Sequence, residues 1–196
     1  MLQGARHSHI SALEDASKRS GISIEVHELR KASDLISAEP QAIIIPGGES
    51  TTMRLTGNSE SSGLMPELFK WIREDKSRAV LGTCAGAIIL SKTMDGGNSL
   101  VDASIDRNAF GPQSESFQCA ISSSLLGREF PGVFIRAPRF SEVGGDAKII
   151  ATADKDVVGV KTGNRLALTF HPELSSDSGF HEWLLKAANE SSGVST

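Results

Sequence analysis

The stretch that most constrains this chain lies at positions 79–90 and reads AVLGTCAGAIIL. A short apolar run ends at Gly82, a single cysteine follows between small residues, and a second apolar run begins after Gly86. This pattern predicts a strand, a tight turn and a helix, with Cys84 at the turn, as the cysteine counterpart of the G-x-S-x-G nucleophile elbow. The two glycines suit such a turn because a side chain at either position would crowd it.

Cys84 would stand at the N-terminus of the predicted helix. Backbone N–H groups and the helix dipole at that position favour a thiolate over the resting thiol, as a nucleophile requires. A buried structural cysteine between a strand and a helix would produce the same pattern, because free cysteines are often buried. The stretch alone therefore leaves both interpretations open.

The remaining patterns alternate between strands and helices, which predicts an α/β three-layer sandwich with a mostly parallel central sheet and a small antiparallel extension. We expect helices over residues 4–20, 64–76 and 180–189. The expected strands cover residues 22–29, 42–45, 116–121, 133–137, 147–153, 157–161 and 166–170. A strand normally precedes the first helix of such a sheet, but the sequence opens MLQG, so the first strand is expected to be absent.

Length and charge set broad limits. The 196 residues suit one domain over positions 1–190 with a disordered tail at 191–196. A net charge of −4 and the lack of a basic block argue against a nucleic-acid partner. No apolar run is long enough for a membrane span, and two cysteines are too few for a disulfide scaffold, so we expect a cytoplasmic protein.

A second motif is PGGESTT at positions 46–52, directly after an apolar run. Two adjacent glycines allow the backbone to turn with its N–H groups outward, which forms a cradle for an anion or an oxyanion. A simple glycine-rich connection between a strand and a helix has the same signature.

A third motif is FHPEL at positions 170–174, after another predicted strand. Pro172 restricts the backbone between His171 and Glu173. A carboxylate beside a histidine can bond to one ring nitrogen and so hold the tautomer and orientation of the imidazole. Taken alone, the motif also fits a surface pair in a turn.

The three motifs are stronger evidence together than singly. Each follows a predicted strand, and parallel α/β folds bind ligands at the C-terminal ends of their strands. They supply a nucleophile, a base with an orienting acid, and a backbone oxyanion site. This is the set that a cysteine acyl-transfer enzyme requires, with Cys84, His171 and Glu173 as its triad.

In this order, the motifs GGES, GTCAG and HPE resemble those of the class I (triad) glutamine amidotransferases. The segments 46–53, 107–111, 133–138 and 171–174, with the opening LQGA, more specifically resemble the family of glutaminase subunits of pyridoxal 5′-phosphate synthase. The resemblance covers nearly the whole chain and implies a flavodoxin-like sheet. The departure is the first strand, which in this family precedes Leu-Gln-Gly.

The resemblance implies that Cys84 attacks the side-chain amide of L-glutamine, His171 transfers protons and Glu173 orients His171. It also implies oxyanion donors and a set of glutamine-binding positions, without a cofactor or a metal. The implied oxyanion donors are Gly47, Gly48 and Ala85, and the implied glutamine-binding residues are Gly48, Glu49, Ser50, Arg107, Ile135 and Arg136. Arginine suits the substrate carboxylate, although without the resemblance Arg107 and Arg136 would be interpreted as exposed charges.

The resemblance further implies a partner, a (β/α)8-barrel pyridoxal 5′-phosphate synthase subunit in a large hetero-oligomer, which receives the ammonia through an internal passage. Such glutaminases are expected to be poorly active alone, because docking completes the oxyanion hole. Gln3 and the Gly47–Gly48 peptide are candidates for that switch.

Several alternatives stay open at this point. The ammonia acceptor could be another metabolite, and the chain could be a related α/β cysteine hydrolase or peptidase, a γ-glutamyl hydrolase, or a non-catalytic binding module. Among the remaining residues, Cys119 is expected to be a small core residue. His7 and His9 are expected on a solvated face of the first helix.

Overall fold

The computed structural model describes residues 6–48, 63–93, 95–106, 116–191 and 193. Its five described helices are α1 (Arg6–Ser20), α2 (Ala32–Ala38), α3 (Leu64–Glu74), α4 (Ala85–Ser91) and α5 (Gly179–Ser191). The strands are β1 (Ala42–Ile45), β2 (Ala79–Thr83), β3 (Ala103–Asp106), β4 (Phe117–Ser123), β5 (Arg128–Phe134), β6 (Arg139–Val143), β7 (Lys148–Ala153), β8 (Asp156–Thr162) and β9 (Arg165–Leu168). A 3-10 turn at Pro172–Leu174 precedes α5.

Seven of these strands form one mixed sheet in the order β1-β2-β9-β8-β7-β4-β5, and β3 and β6 form a separate antiparallel pair. The contacts β1–β2 and β2–β9 are parallel, whereas β8, β7, β4 and β5 join by antiparallel contacts. The expected α/β architecture is confirmed. Its antiparallel part is larger than the expected extension, because β7, β8 and β9 follow one another through tight turns.

Two apolar cores flank the sheet, as alternation along a strand requires. Ile44 of β1 lies in the core that contains Leu13 of α1 and Leu184 of α5. Its neighbours Ile43 and Ile45 lie in the core that α2, α3 and α4 share. The apolar run of β1 is thus buried on both faces, as is typical of a parallel strand between two helical layers.

The strand predicted over residues 22–29 is wrong. This segment has no strand assignment, and β1 pairs only with β2 among the described strands. A cavity of about 420 Å³ lies between the segment and β1, lined by Ile22, Ile24, Ala42 and Ile44 among others. The alternating isoleucines are half-buried in the groove between helices and sheet, and none of the described strands pairs with them in a hydrogen-bond ladder.

The strand predicted over residues 133–137 is also displaced. β5 ends at Phe134, and the chain bends at Ile135 and Arg136. The bend follows from the positive φ of Arg136, 43°, which no extended strand contains. The sequence prediction omitted α2, β3 and β6. None of the described helices is long and apolar enough to cross a membrane.

Candidate active site

The predicted elbow is present at the end of β2. Cys84 has φ 48° and ψ −104°, and its N–H donates to the carbonyl of Leu168 at 2.8 Å. A methyl group on Gly86 would collide with the carbonyl oxygen of Ile45, and one on Gly82 would lie 2.8 Å from the carbonyl oxygen of Gly86. The glycines therefore allow α4 to start directly against the sheet, which turns Cys84 out of the strand into a strained conformation.

Both other members of the predicted triad lie beyond the end of β9. His171 directly precedes the 3-10 turn Pro172–Leu174, and Glu173 lies within it. The Nδ1 of His171 and the Oε1 of Glu173 are 2.8 Å apart, and both side chains are buried. The backbone N–H of His171 donates to the carbonyl of Val133 at 2.8 Å. Since a carboxylate only accepts hydrogen bonds, Nδ1 carries the proton and Nε2 is left for the nucleophile.

The side chain of Cys84 lies close enough to the imidazole of His171 to shift its pKa. Burial alone would lower the pKa of His171, but the hydrogen bonds and charges of Cys84 and Glu173 outweigh it and raise the pKa to about 10. An imidazolium is thus favoured at neutral pH, where it can stabilise a thiolate and donate a proton.

Gly47, from the glycine motif at positions 46–52, packs against both His171 and Cys84. A methyl group there would lie 2.5 Å from Cε1 of His171 and 3.3 Å from Cβ of Cys84. The N–H of Gly47 donates to the hydroxyl of Thr83 at 2.9 Å. This amide is therefore not available to an oxyanion in the structure, so the predicted donor role of Gly47 would require the bond to break.

The other predicted site residues fall into two groups. Ala85 is the first residue of α4, Gly48 follows Gly47 with φ 137°, and Ile135 and Arg136 follow β5, whose Val133 contacts the backbone of His171. Arg136 is exposed and Ile135 half-buried. Four predicted positions lie outside the described residues, namely Gln3, Glu49, Ser50 and Arg107.

Backbone strain marks two of the predicted positions independently of any motif. Among the described residues, four non-glycine residues have positive φ, and Cys84 and Arg136 are two of them. Non-glycine residues in this region cluster at functional sites.

A layer of polar residues behind the triad was not predicted. His9 of α1 and His181 of α5 are fully buried, which corrects the expected solvated position of His9. The spacing of His9, Leu13 and Ala16 places all three on the apolar face of α1. This spacing is visible in the sequence, and it could have predicted that His9 is buried together with Leu13 and Ala16.

Both cysteines are free thiols, and burial raises the pKa of the half-buried Cys119. Within the described ranges, no three His, Cys, Asp or Glu side chains are grouped so that they could hold a metal ion. The described site brings together one sulfur, one imidazole and one carboxylate beside backbone amides, an arrangement suited to acyl transfer.

Comparison with known proteins defines the class. Residues 1–190 match the model of the SNO glutamine amidotransferase family, and the chain belongs to this family. The chain is 40% identical over 194 residues to the pyridoxal 5′-phosphate synthase subunit PdxT of Thermococcus onnurineus, with 95% of each chain covered. It is also 40% identical over 198 residues to the PdxT of Archaeoglobus fulgidus, with 97% of this chain and 96% of the relative covered.

Solved structures agree. A crystal structure of a glutamine amidotransferase, 39% identical, superposes with a TM-score of 0.79 over 95% of both chains. The glutaminase domain of Trypanosoma brucei CTPS, with acivicin bound, is 15% identical, with a TM-score of 0.59 over 94% of this chain and 88% of that one. The second likeness supports the fold alone.

Proposed function

We propose that this chain hydrolyses L-glutamine to L-glutamate and ammonia and delivers the ammonia to a synthase that makes pyridoxal 5′-phosphate. The observation that carries the proposal is the placement of Cys84 and His171 against the same side of Gly47, with Nδ1 of His171 bonded to Glu173. These residues lie on a chain whose relatives, 40% identical over nearly their full length, are named pyridoxal 5′-phosphate synthase subunits.

The chemistry follows from the roles of the three side chains. The thiolate of Cys84 attacks the side-chain amide carbon of glutamine and forms a C–S bond. The imidazolium of His171 then gives its Nε2 proton to the departing nitrogen, so that ammonia leaves and a glutamyl thioester remains. Neutral His171 next takes a proton from water, whose oxygen attacks the thioester. The C–S bond then breaks, which restores the thiolate and releases the product, whose new carboxyl group gives its proton to solvent to become glutamate.

The oxyanion of each tetrahedral intermediate requires hydrogen-bond donors. The N–H of Ala85, at the start of α4, and the N–H of Gly48 are the donors we assign. Gly47 remains a candidate only if its bond to Thr83 is exchanged. A rearrangement around the Gly47–Gly48 peptide would explain how docking on the synthase could switch the glutaminase on, with Gln3 as a further element of the switch.

We propose that Arg107 and Arg136 bind the carboxylate of glutamine, and that Gly48, Glu49, Ser50 and Ile135 complete its site. The exposed Arg136 has a positive φ that directs the chain away from β5 at the triad end of that strand. The relatives imply a synthase partner. We propose a (β/α)8-barrel subunit in a large hetero-oligomer, located in the cytoplasm, where Cys84 stays reduced.

Ammonia release from glutamine tests the proposal, with and without a co-expressed pyridoxal 5′-phosphate synthase subunit. The wild-type chain with synthase should release one ammonia per glutamate, and Cys84→Ala should lose at least about 10³-fold in kcat. Cys119→Ala is the matched control, because this second thiol lies on β4 outside the triad. Equal rates for wild type and Cys84→Ala, or no glutaminase activity in the wild-type complex, would refute the proposal.

A further inference from the structure

Two buried histidines stand directly behind the triad without a part in its chemistry. Nδ1 of His9 lies 3.0 Å from Nε2 of His181. The other ring nitrogen of His9, Nε2, lies 3.3 Å from the hydroxyl oxygen of Thr83 and 3.5 Å from Oε2 of Glu173. His9 thus joins a helix on one face of the sheet to the acid of the triad.

The approach of His9 to Oε2 of Glu173 matters because that oxygen is otherwise unpaired. The oxygen is buried and has no hydrogen-bond partner among the described residues, while Oε1 is bonded to His171. An unsatisfied carboxylate oxygen in a buried site is costly. The nearby Nε2 of His9 is placed to lower that cost if it carries a hydrogen.

Burial favours the neutral form of both histidines. Burial, followed by the charges of His181 and His171, lowers the pKa of His9 to about 2. Burial lowers the pKa of His181 to about 4. Each ring therefore carries a single proton, and the position of that proton decides which contacts are attractive.

The neighbouring polar atoms indicate which ring nitrogen of His9 and of His181 carries the proton. With the His9 proton on Nε2, that nitrogen donates toward Thr83 and Glu173, and Nδ1 accepts from Nε2–H of His181. The nitrogen left without a partner is then Nδ1 of His181, as a bare acceptor. The opposite arrangement would turn a lone pair of His9 toward the Glu173 carboxylate and leave a buried N–H of His181 without an acceptor.

We propose that His9 is a positioning residue for the triad, with its Nε2–H directed at Oε2 of Glu173 and the hydroxyl of Thr83, and with His181 holding its tautomer. The inference rests on the proposed function of the triad. Glu173 orients His171, and Thr83 accepts the N–H of Gly47. One imidazole therefore supports both the acid of the triad and the peptide packed against its nucleophile.

The tautomer can be measured on the unmodified protein by ¹⁵N NMR of histidine-labelled chain. We expect His9 to show a protonated Nε2 and an unprotonated Nδ1, and His181 to show the same pattern. A protonated Nδ1 on His9 would overturn the proposal. This measurement needs no variant to fold and no glutaminase activity.

Two variants test the consequence for catalysis in the complex with synthase. His9→Gln keeps an amide donor near the position of Nε2, whereas His9→Asn keeps only the position of Nδ1. We expect His9→Asn to lower kcat by about 10–100-fold with KM changed by less than about twofold, since a misplacement of about 1 Å can cost about 10² in rate. His9→Gln should restore most of kcat.

His7→Asn, exposed on the same helix, is the matched control and should behave as wild type. The pH at which His171 titrates, followed by NMR, should fall in His9→Asn and stay close to wild type in His9→Gln. Unchanged kcat and unchanged His171 titration in a folded His9→Asn would overturn the positioning role. An inactive wild-type complex would refute the proposed function, while the NMR readouts would still decide the role of His9.

Discussion

A methyl group on Gly47 would lie 2.5 Å from Cε1 of His171, far inside van der Waals contact. The backbone of Gly47 therefore forms one wall of the space that the imidazole occupies. This close approach links the glycine motif to the catalytic base more tightly than the sequence spacing of the two residues suggests.

Gly47→Ala is accordingly expected to displace His171 and to lower kcat by at least about 10² in the complex with synthase. The overpacking should also lower the free energy of unfolding by about 1–3 kcal/mol. Steady-state ammonia release and urea unfolding measure the two effects. Gly145→Ala is the matched control, because a methyl group there meets nothing within 4 Å. Equal activity of the two variants would show that the base does not need this wall.

His171 should titrate far above an ordinary histidine. We expect its ring to stay protonated to about pH 10 in the wild-type chain, because Cys84 and Glu173 outweigh the effect of burial. Cys84→Ala should move the midpoint toward acid, since one of the two partners is lost while burial remains. Proton-detected NMR of the imidazole measures both midpoints. A wild-type midpoint near 6.5 would contradict the proposed ion pair.

The same raised pKa predicts a dependence of stability on pH. A histidine that holds its proton more tightly when folded stabilises the fold fully below its ordinary pKa of 6.5. That contribution is lost as the pH rises toward 10. The free energy of unfolding of wild type relative to His171→Gln should therefore decrease between pH 6.5 and 10, as measured by urea titration. A constant difference across this range would exclude the predicted coupling.

The buried His9–His181 pair predicts a pH dependence of the free energy of unfolding with the opposite sign, at acidic pH. Both pKa values are lowered on folding, so the unfolded chain binds more protons and stability falls as the pH drops below 6.5. Each histidine contributes a slope of at most about 1.4 kcal/mol per pH unit. His181→Gln should flatten the slope between pH 6.5 and 5, whereas the exposed His7→Asn should not. Parallel slopes for wild type and His181→Gln would refute the assignment.

Asp177 ties the segment after the triad to the sheet. Its carboxylate pairs with Arg128 of β5 and accepts the N–H of Gly179 at 2.8 Å. Asp177→Ala should lower the free energy of unfolding by about 1–2 kcal/mol, because the N–H of Gly179 at the start of α5 loses its acceptor and Arg128 loses its partner. Asp15→Ala removes only an exposed pair with Lys18, so it should change the free energy of unfolding by less than about 0.5 kcal/mol. Urea unfolding compares the two variants, and equal losses would contradict the role of Asp177 in holding the start of α5 to the sheet.

Local patterns predicted the parts of the site that lie within a few residues of one another. The apolar run and glycines around Cys84 indicated the elbow, because the close packing of α4 on β2 is itself a local requirement. The spacing of His171 and Glu173 likewise indicated their bond, since only Pro172 separates them. The same reasoning failed at residues 22–29, where none of the described strands pairs with the alternating segment. It failed again at residues 133–137, where Arg136 bends the chain.

The amino-acid order alone determined the elbow, the histidine–glutamate pair and the family resemblance, because each depends on neighbours along the chain. The tertiary structure decided that the amide of Gly47 is held by Thr83 and that His9 lies buried against Glu173. These contacts join residues 36 positions apart in the first case and 164 in the second. Only the packing of α1 and the parallel strands brings their polar atoms together, since hydrogen bonds act over about 3 Å whatever the separation in sequence.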